Sequence, residues 1–590
     1  MKYSDIPLAQ TVVALCKAKE IEHIIISPGS RNAPLTITFT EDPYFKTYSV
    51  VDERSAAFFA MGIAQQLKKP TAVVCTSGSA LLNYYPAIAE AFYSDIPLIV
   101  LSADRPSYRI DIGDGQTIRQ DDVYARHILY NANLKQDIRG GDLKVLGDGK
   151  NPAKLDKYID SIKLQQGIQE FNEQEINAAI NTSIEENGPV HINIPFEEPL
   201  YNKVSEQFVN PSVIAPNSKK ETYTKEDLQP YIDRWNKAEK KMILVGVNPP
   251  NTIDNELLEL LAKDESVVVF TETTSNLNNS RFFPNIDKII APIEKLENSE
   301  EYFKELQPTI LLTFGGMVIS KKIKAFLRSH QPKEHWHIDS KKAYDTFYCL
   351  SKHFKTTPTD FFKVFLNEMS PKKSDFQPSW LSIKAQRSKA HKQYVMQIPF
   401  SDFKAYERIL KTIPDNYQLQ LSNSSTIRYA QLFQLNDSLK VYCNRGTSGI
   451  DGSTSTAIGA SIISNSPVLF ITGDLSFFYD SNALWNNYIK NDFRIIVINN
   501  GGGGIFRILP GDKDSKNFDD YFETTHHLNA KGICETYNIN YQSVDSEESL
   551  ELVLHEFYKS SGKPSLLEVF TPRKLNDEIL LNYFNFLNKN

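Results

Sequence analysis

The sequence predicts an α/β protein built from three doubly wound parallel-sheet domains. Three observations carry that expectation. The chain has 590 residues, more than one hydrophobic core organises. Short apolar runs recur along it, each stopped by a Gly, Ser, Asp, Asn or Pro turn and separated by helical patterns. Two polar stretches containing prolines divide these runs into three groups.

The first group has strands expected at 22–26, 71–75, 97–101 and 190–194. The first three end in Ser27-Pro28-Gly29-Ser30, Thr76-Ser77-Gly78-Ser79 and Ser102-Ala103-Asp104-Arg105-Pro106. Polar residues from Asp137 to Gln165, including Gly140-Gly141 and Gly147, read as a loop insertion or flexible excursion. Residues 201–222, with Pro211 and Pro216, read as a linker. Strands at 241–245, 266–270, 309–313 and 335–338 form the second group, and 371–380 reads as a second linker. The third group has strands at 418–421, 441–443, 468–472, 494–498 and 565–569. Domains are therefore expected at 1–200, 223–370 and 381–590. The first and third share a rhythm of strand ends carrying Gly, Ser, Asn and Asp, as two related domains would.

Bulk properties narrow the function classes. Hydrophobic content of 41% and charged content of 23% are those of a soluble globular protein. A net charge of −7 argues against broad nucleic-acid binding and leaves room for a local basic pocket. The five cysteines are scattered without a CxxC pair, so a reduced cytoplasmic protein is expected, with neither a disulfide frame nor a zinc site. No apolar run approaches the roughly 20 residues of a membrane span, and the first residues lack a signal peptide's apolar core.

The candidate chemistry begins with Gly473-Asp474-Leu475-Ser476 and Asn499-Asn500-Gly501-Gly502, each at the end of an apolar run and one strand-helix-strand unit apart. A lone Gly-Asp would serve a tight turn. The pair supplies oxygen ligands at adjacent strand ends: Asp474 through its carboxylate, Asn500 through its amide oxygen and Gly502 through its carbonyl, as a hard cation holding a diphosphate requires. Asp52-Glu53-Arg54 precedes an apolar helix, and taken alone Glu53 is a helix-N-terminal acid. Arg31, Arg105, Arg119, Arg428 and Arg445 follow or adjoin strand ends, where α/β proteins bind ligands, and together suggest a pocket for a polyanion. The glycine run from Gly446 to Gly452 has neither the Gly-x-Gly-x-x-Gly spacing nor the Gly-Lys-Ser/Thr of a P-loop, so NAD and ATP are poorly supported. His526-His527, with no Cys or acid at metal spacing, reads as a pair of loop histidines.

Gly-Asp-Leu-Ser followed by Asn-Asn resembles the thiamine-diphosphate signature, with Leu475 in place of the usual third glycine. Ser27 to Arg31, Asp52 to Arg54, Thr76 to Ser79, Ala103 to Pro106, Gln116 to Gln120, Asn444 to Gly452 and Gly504 to Pro510 narrow the likeness. Together they resemble the menaquinone-pathway family of 2-succinyl-5-enolpyruvyl-6-hydroxy-3-cyclohexene-1-carboxylate synthases (MenD). That resemblance implies pyrimidine-binding, central and diphosphate-binding domains, and a homodimer or homotetramer with shared active sites. It implies thiamine diphosphate with Mg²⁺ or Mn²⁺ as cofactors, and 2-oxoglutarate and isochorismate as substrates. Glu53 would hold the aminopyrimidine in its imino form, and Ile450 would wedge the cofactor into a bent shape. Ser448, Leu475 and Ser476 join Asp474, Asn500 and Gly502 as cofactor contacts. Arg31, Arg105, Lys321, Arg428 and Arg445 would bind carboxylates, with Ser30, Gln116 and Ser424 as polar contacts. Ile505, Phe506 and Leu509 would form an apolar wall that excludes water. Two other readings compete: another thiamine-diphosphate 2-oxoacid decarboxylase or carboligase, and a catalytically silent binding protein. The arginine set weighs against the first. The joint presence of Glu53, Asp474, Asn500 and Ile450 weighs against the second.

Overall fold

The computed structural model describes residues 2–138, 152–217, 221–509, 511 and 513–589. The chain divides into two compact units: residues 1–218 with 451–465 and 480–490, and residues 219–450 with 466–479 and 491–590.

A short strand β1 (Tyr3–Ser4) opens the chain. The first sheet follows, with β2 (His23–Ile26), β3 (Lys46–Ser49), β4 (Thr71–Cys75), β5 (Leu98–Asp104), β6 (Tyr130–Asn133) and β7 (Val190–Pro195). All are parallel, in the order β3-β2-β4-β5-β7-β6. In the stretch expected to be a linker, β8 (Lys203–Val204) pairs antiparallel with β1 and ties it back to the first sheet's domain. The second sheet contains β9 (Lys241–Val245), β10 (Val267–Thr271), β11 (Ile310–Phe314), β12 (Glu334–Ile338) and β13 (Leu350–Phe354), ordered β10-β9-β11-β12-β13. The third contains β14 (Gln418–Leu421), β15 (Lys440–Cys443), β16 (Val468–Gly473), β17 (Arg494–Asn499), β18 (Asn540–Val544) and β19 (Ser565–Phe570), ordered β15-β14-β16-β17-β19-β18. Numbered within their own sheets, the first and third have the same strand order. This is the doubly wound arrangement, whose chain reversal opens a crevice at the carboxyl ends of the strands.

The central strands are apolar on both faces because helices cover both, as in β4, β9 and β17. Besides the short pair β1 and β8, four strands of the three parallel sheets went unread in the sequence: β3, β6, β13 and β18. Each lies at a sheet edge and carries polar residues, Lys-Thr-Tyr-Ser in β3 and Tyr-Asn-Ala-Asn in β6.

Two other expectations change. The polar excursion expected between Asp137 and Gln165 is in part the start of a 35-residue helix, Pro152–Glu186; residues 139–151 lie outside the described residues. Within the stretch expected to be the second linker, the helix Phe376–Gln397 begins at Phe376. Pro378 sits in its first turn, where no intrahelical N–H is lost. Phe376, Trp380 and Ile383 pack into a core beside the second sheet, while Ala390, Tyr394 and Val395 pack into that of the third. One rigid element therefore joins these two cores.

In the first unit the helices Glu53–Leu67 and Ser453–Ile463 touch backbone to backbone. A Cβ on Gly459 would lie 2.0 Å from the Phe59 carbonyl oxygen, and one on Gly62 would lie 2.1 Å from that of Thr456. Such proximity admits no side chain. Gly459→Ala should lower unfolding stability by roughly 1–3 kcal/mol, measured by urea denaturation. An unchanged midpoint would contradict this packing.

Candidate active site

Neighbouring strands of the third sheet end in chemistry-bearing residues. Asp474 follows β16 and Asn500 follows β17, and Gly473 lies opposite Ile498 in the parallel ladder. Asp474 is 3% exposed. Its Oδ2 accepts the Gly501 and Gly502 N–H groups at 2.9 and 3.1 Å, and its Oδ1 accepts that of Leu475 at 2.7 Å. Gly502 adopts φ +152°, and a Cβ there would meet the Glu523 carbonyl oxygen at 2.6 Å, so the turn requires glycine. Asn500 donates through Nδ2 to Asp402 Oδ2 at 2.9 Å. Its Oδ1 is buried and has no hydrogen-bond partner among the described residues. An unpaired buried carbonyl oxygen beside a carboxylate is what an oxygen-seeking cation would satisfy, so these residues fit such an ion.

The structure adds residues that the sequence did not single out. Asp402 is buried at the start of the helix Asp402–Thr412 and is pushed up to about 6 by burial. Hydrogen bonds from Thr571 and Asn500 hold it down, and the Asp474 charge raises it. In sequence it is indistinguishable from an ordinary first-turn acid. His526 does lie in a loop, yet its Nε2 is 3.3 Å from Asp474 Oδ2, and its backbone N–H donates to the Gly501 carbonyl at 3.1 Å. Asn423, just past β14, donates to the carbonyls of Asn444 and Gly449 at 2.7 Å each and accepts from Arg445 at 2.7 Å. It thereby joins the loops that carry Ser424 and Ser448. Both of those residues have positive φ, +64° and +60°. Ser476 donates to the Ile450 carbonyl at 2.7 Å, and the Ile450 side chain is exposed.

Three of the expected carboxylate binders share one electrostatic neighbourhood. Burial lowers Arg428, while Asp287 raises it and Arg445 lowers it. Burial also lowers Lys324; Glu272 raises it, and Arg328, Arg445 and Lys321 lower it further. Lys321 is exposed at the start of the helix Lys321–Ser329. Near these cations lie two acids, Glu272, which is buried, and Asp287, which is half-buried. Glu272 accepts from the Ile319 and Ser320 N–H groups at 2.7–2.8 Å and is pushed up to about 7 by burial. Asp287 accepts from the Ser320 hydroxyl. The arrangement gathers cations that can hold anionic groups, and Glu272 and Asp287 fix Ser320, next to Lys321, through its N–H and hydroxyl.

Three family models match the chain. The thiamine pyrophosphate enzyme N-terminal TPP-binding domain matches 6–125, the middle domain 216–421, and the C-terminal TPP-binding domain 424–569. A protein of Christiangramia forsetii is 60% identical over 587 residues, covering all of both chains. One of Flavobacterium psychrophilum is 53% identical over 587 residues with the same coverage. One of Porphyromonas gingivalis is 36% identical over 596 residues, covering 99% of this chain and 98% of its own. All three are named 2-succinyl-5-enolpyruvyl-6-hydroxy-3-cyclohexene-1-carboxylate synthase. The chain belongs to this family of thiamine-diphosphate enzymes.

The expected residues Glu53, Arg31, Arg105, Ser30 and Gln116 lie in the first unit. Glu53 is the first residue of its helix, capped by Asp52, whose Oδ1 accepts the Ser55 N–H at 3.1 Å. Asp52 Oδ2 also accepts from Asn482 at 2.8 Å. Burial raises the Glu53 carboxyl, its own backbone N–H lowers it, and Asp52 raises it. A half-buried carboxyl with raised affinity for its proton suits one shared with a ring nitrogen. Arg31 is buried, donating to the Phe196 carbonyl at 2.9 Å and pairing with Glu198 at 2.5 Å. Its Nε has no partner among the described residues. Arg105 donates through Nε to the Gly115 carbonyl at 2.7 Å. Ser30 and Gln116 are exposed, the latter at φ +54°.

Ile505 and Phe506 lie in a short 3₁₀ turn, Gly504–Ile508, in the loop after Asn500, and Leu509 follows it; Phe506 and Leu509 are exposed, and Pro510 lies outside the described residues. A buried clamp shapes this loop. Arg507 meets Glu523 in bidentate fashion, Nε to Oε1 at 2.7 Å and the terminal nitrogen to Oε2 at 2.5 Å. Arg573 adds a bond to Glu523 at 3.1 Å, and the Gly503 N–H donates to the Glu523 carbonyl at 2.5 Å. Glu523→Ala leaves two guanidinium groups short of a partner. It should cost about 3–5 kcal/mol in urea denaturation. Amide hydrogen exchange should rise across residues 501–509. Wild-type stability and protection would show that the clamp does not hold the loop.

Proposed function

We propose that the chain catalyses thiamine-diphosphate-dependent decarboxylation of 2-oxoglutarate and conjugate addition of the succinyl unit to isochorismate. The products are 2-succinyl-5-enolpyruvyl-6-hydroxy-3-cyclohexene-1-carboxylate and carbon dioxide, in menaquinone biosynthesis. The observation that carries the reading is the buried, unpartnered Oδ1 of Asn500 beside the Asp474 carboxylate, in a chain alignable end to end with the named synthases.

In this reading Asp474, Asn500 Oδ1 and the Gly502 carbonyl would hold Mg²⁺ or Mn²⁺, which would supply positive charge for the cofactor's diphosphate. Ser448, Ile450, Leu475 and Ser476 line the cofactor. Thiamine diphosphate, when bound, supplies the electron sink for decarboxylation. Glu53 holds and moves a proton at its carboxyl oxygen, and its raised proton affinity suits that task. Arg31, Arg105, Lys321, Arg428 and Arg445 bind substrate carboxylates, with Ser30, Gln116 and Ser424 as polar contacts. Ile505, Phe506 and Leu509 exclude water from the reacting carbon. A homodimer or homotetramer and a cytoplasmic location belong to the same reading, supported by family membership and by five free cysteines. Among the described residues no helix is long and apolar enough to cross a membrane.

One assay tests the proposal. With Mg²⁺, thiamine diphosphate, 2-oxoglutarate and isochorismate present, isochorismate loss should accompany carbon dioxide release, and omitting either substrate should stop the first. Turnover of pyruvate without isochorismate would overturn it. In the same assay Glu53→Gln should lower turnover by about 100-fold or more while cofactor binding persists. Near-normal turnover would contradict the role given to Glu53.

A further inference from the structure

Asp402 lies outside the expected ligand set, yet its bonds decide what Asn500 can offer. Its carboxylate accepts at both oxygens: from Thr571 Oγ1 at 2.6 Å and from Asn500 Nδ2 at 2.9 Å. Its backbone N–H donates to Asn576 Oδ1 at 2.8 Å. Thr571 follows β19 and Asn500 follows β17, strands paired in register with Asn499 opposite Phe570. The Thr571 N–H also donates to the Asn499 carbonyl at 3.1 Å. The carboxylate is therefore held from two strand ends and one helix start, with little freedom to turn.

A primary amide has two faces of opposite character, an NH₂ that only donates and an oxygen that only accepts. An ionised carboxylate has no proton to give, so it accepts only the NH₂ face. The Asn500 oxygen must then point the other way, to the place where it lies buried without a partner. With the opposite rotamer, two acceptors would face each other at Asp402, and an NH₂ group would face the cation. We infer that Asp402 is a positioning residue for the cation site, fixing the amide of Asn500 so that its oxygen and not its nitrogen is presented to the ion. This rests on the reading of Asp474 and Asn500 as cation ligands.

The test measures Mn²⁺ binding to the full chain, without turnover. Free Mn²⁺ is followed by electron paramagnetic resonance at about pH 8, where exposed carboxyls are ionised. Saturating thiamine diphosphate is present, and thermal melting of each variant is recorded. Asn500→Ala removes the ligand itself and should weaken binding. Asp402→Asn replaces a group that only accepts with one that can pair with either face of the amide. Binding should weaken about 10- to 100-fold, the usual effect of losing an outer partner of a metal ligand. The exchanged pair Asp402→Asn with Asn500→Asp again presents an oxygen at position 500, held by an amide donor at 402. Its affinity should return to within about threefold of wild type, a coupling that independent sites would not show.

Wild-type Mn²⁺ affinity in Asp402→Asn, with affinity lost in Asn500→Ala, would overturn the inference and leave the ligand reading standing. Unchanged affinity in Asn500→Ala would overturn the ligand reading itself. If Asp402→Asn does not fold, the exchanged pair decides alone. Recovery there supports the inference, and a melting curve like wild type without recovery refutes it, because a merely structural role would then explain the single variant.

Discussion

The candidate site depends on one interaction, the acceptance of the Gly501 and Gly502 N–H groups by the Asp474 carboxylate. It links the end of β16 to the turn after β17 and places a negative charge where two adjacent parallel strands stop. Parallel pairing makes this possible, because it brings successive strand ends to one edge of the sheet. The glycines are needed because no side chain fits at Gly502 against Glu523. With that turn set, Asn500 lies beside Asp474, and its amide becomes the next group whose orientation matters.

Buried or half-buried acids recur behind the groups that would meet ligands. Asp402 stands behind Asn500, Glu272 and Asp287 lie behind the cations of the central region, and Glu523 stands behind the loop carrying Ile505 and Phe506. A buried carboxylate is costly unless its oxygens are satisfied, and each of these accepts hydrogen bonds inside the fold. The result is rigidity at a few positions, where ligand-facing groups keep their direction before any ligand arrives. Burial raises the proton affinity of both Asp402 and Glu272, to about 6 and about 7, and the hydrogen bonds they accept oppose that rise.

The sequence showed more of the sheet interiors than of their margins. Strands such as β4, β9 and β17 are continuous apolar runs and could be read directly, whereas β3, β6, β13 and β18 carry polar residues at sheet edges and left no such trace. The helix Phe376–Gln397 was hidden in part by Pro371 and Pro378, although a proline in a first turn breaks nothing. At the site, Asp474 and Asn500 were legible because each ends an apolar run in a polar turn. Asp402, Asn423 and Glu523 were not, since each acts through partners far along the chain: Asp402 reaches residues 98 and 169 positions away. His526 was visible as a residue, but its approach to Asp474 follows from how the loop folds back on Gly501.

The most direct test of the cation site is a crystal structure of the chain grown with Mn²⁺ and thiamine diphosphate, with anomalous differences recorded for manganese. The account predicts one strong peak at coordination distance, about 2–2.5 Å, from a carboxylate oxygen of Asp474, Oδ1 of Asn500 and the carbonyl oxygen of Gly502, with Asn500 Nδ2 still on Asp402. A manganese peak elsewhere, or one at this edge that Asn500 does not ligate, would contradict it.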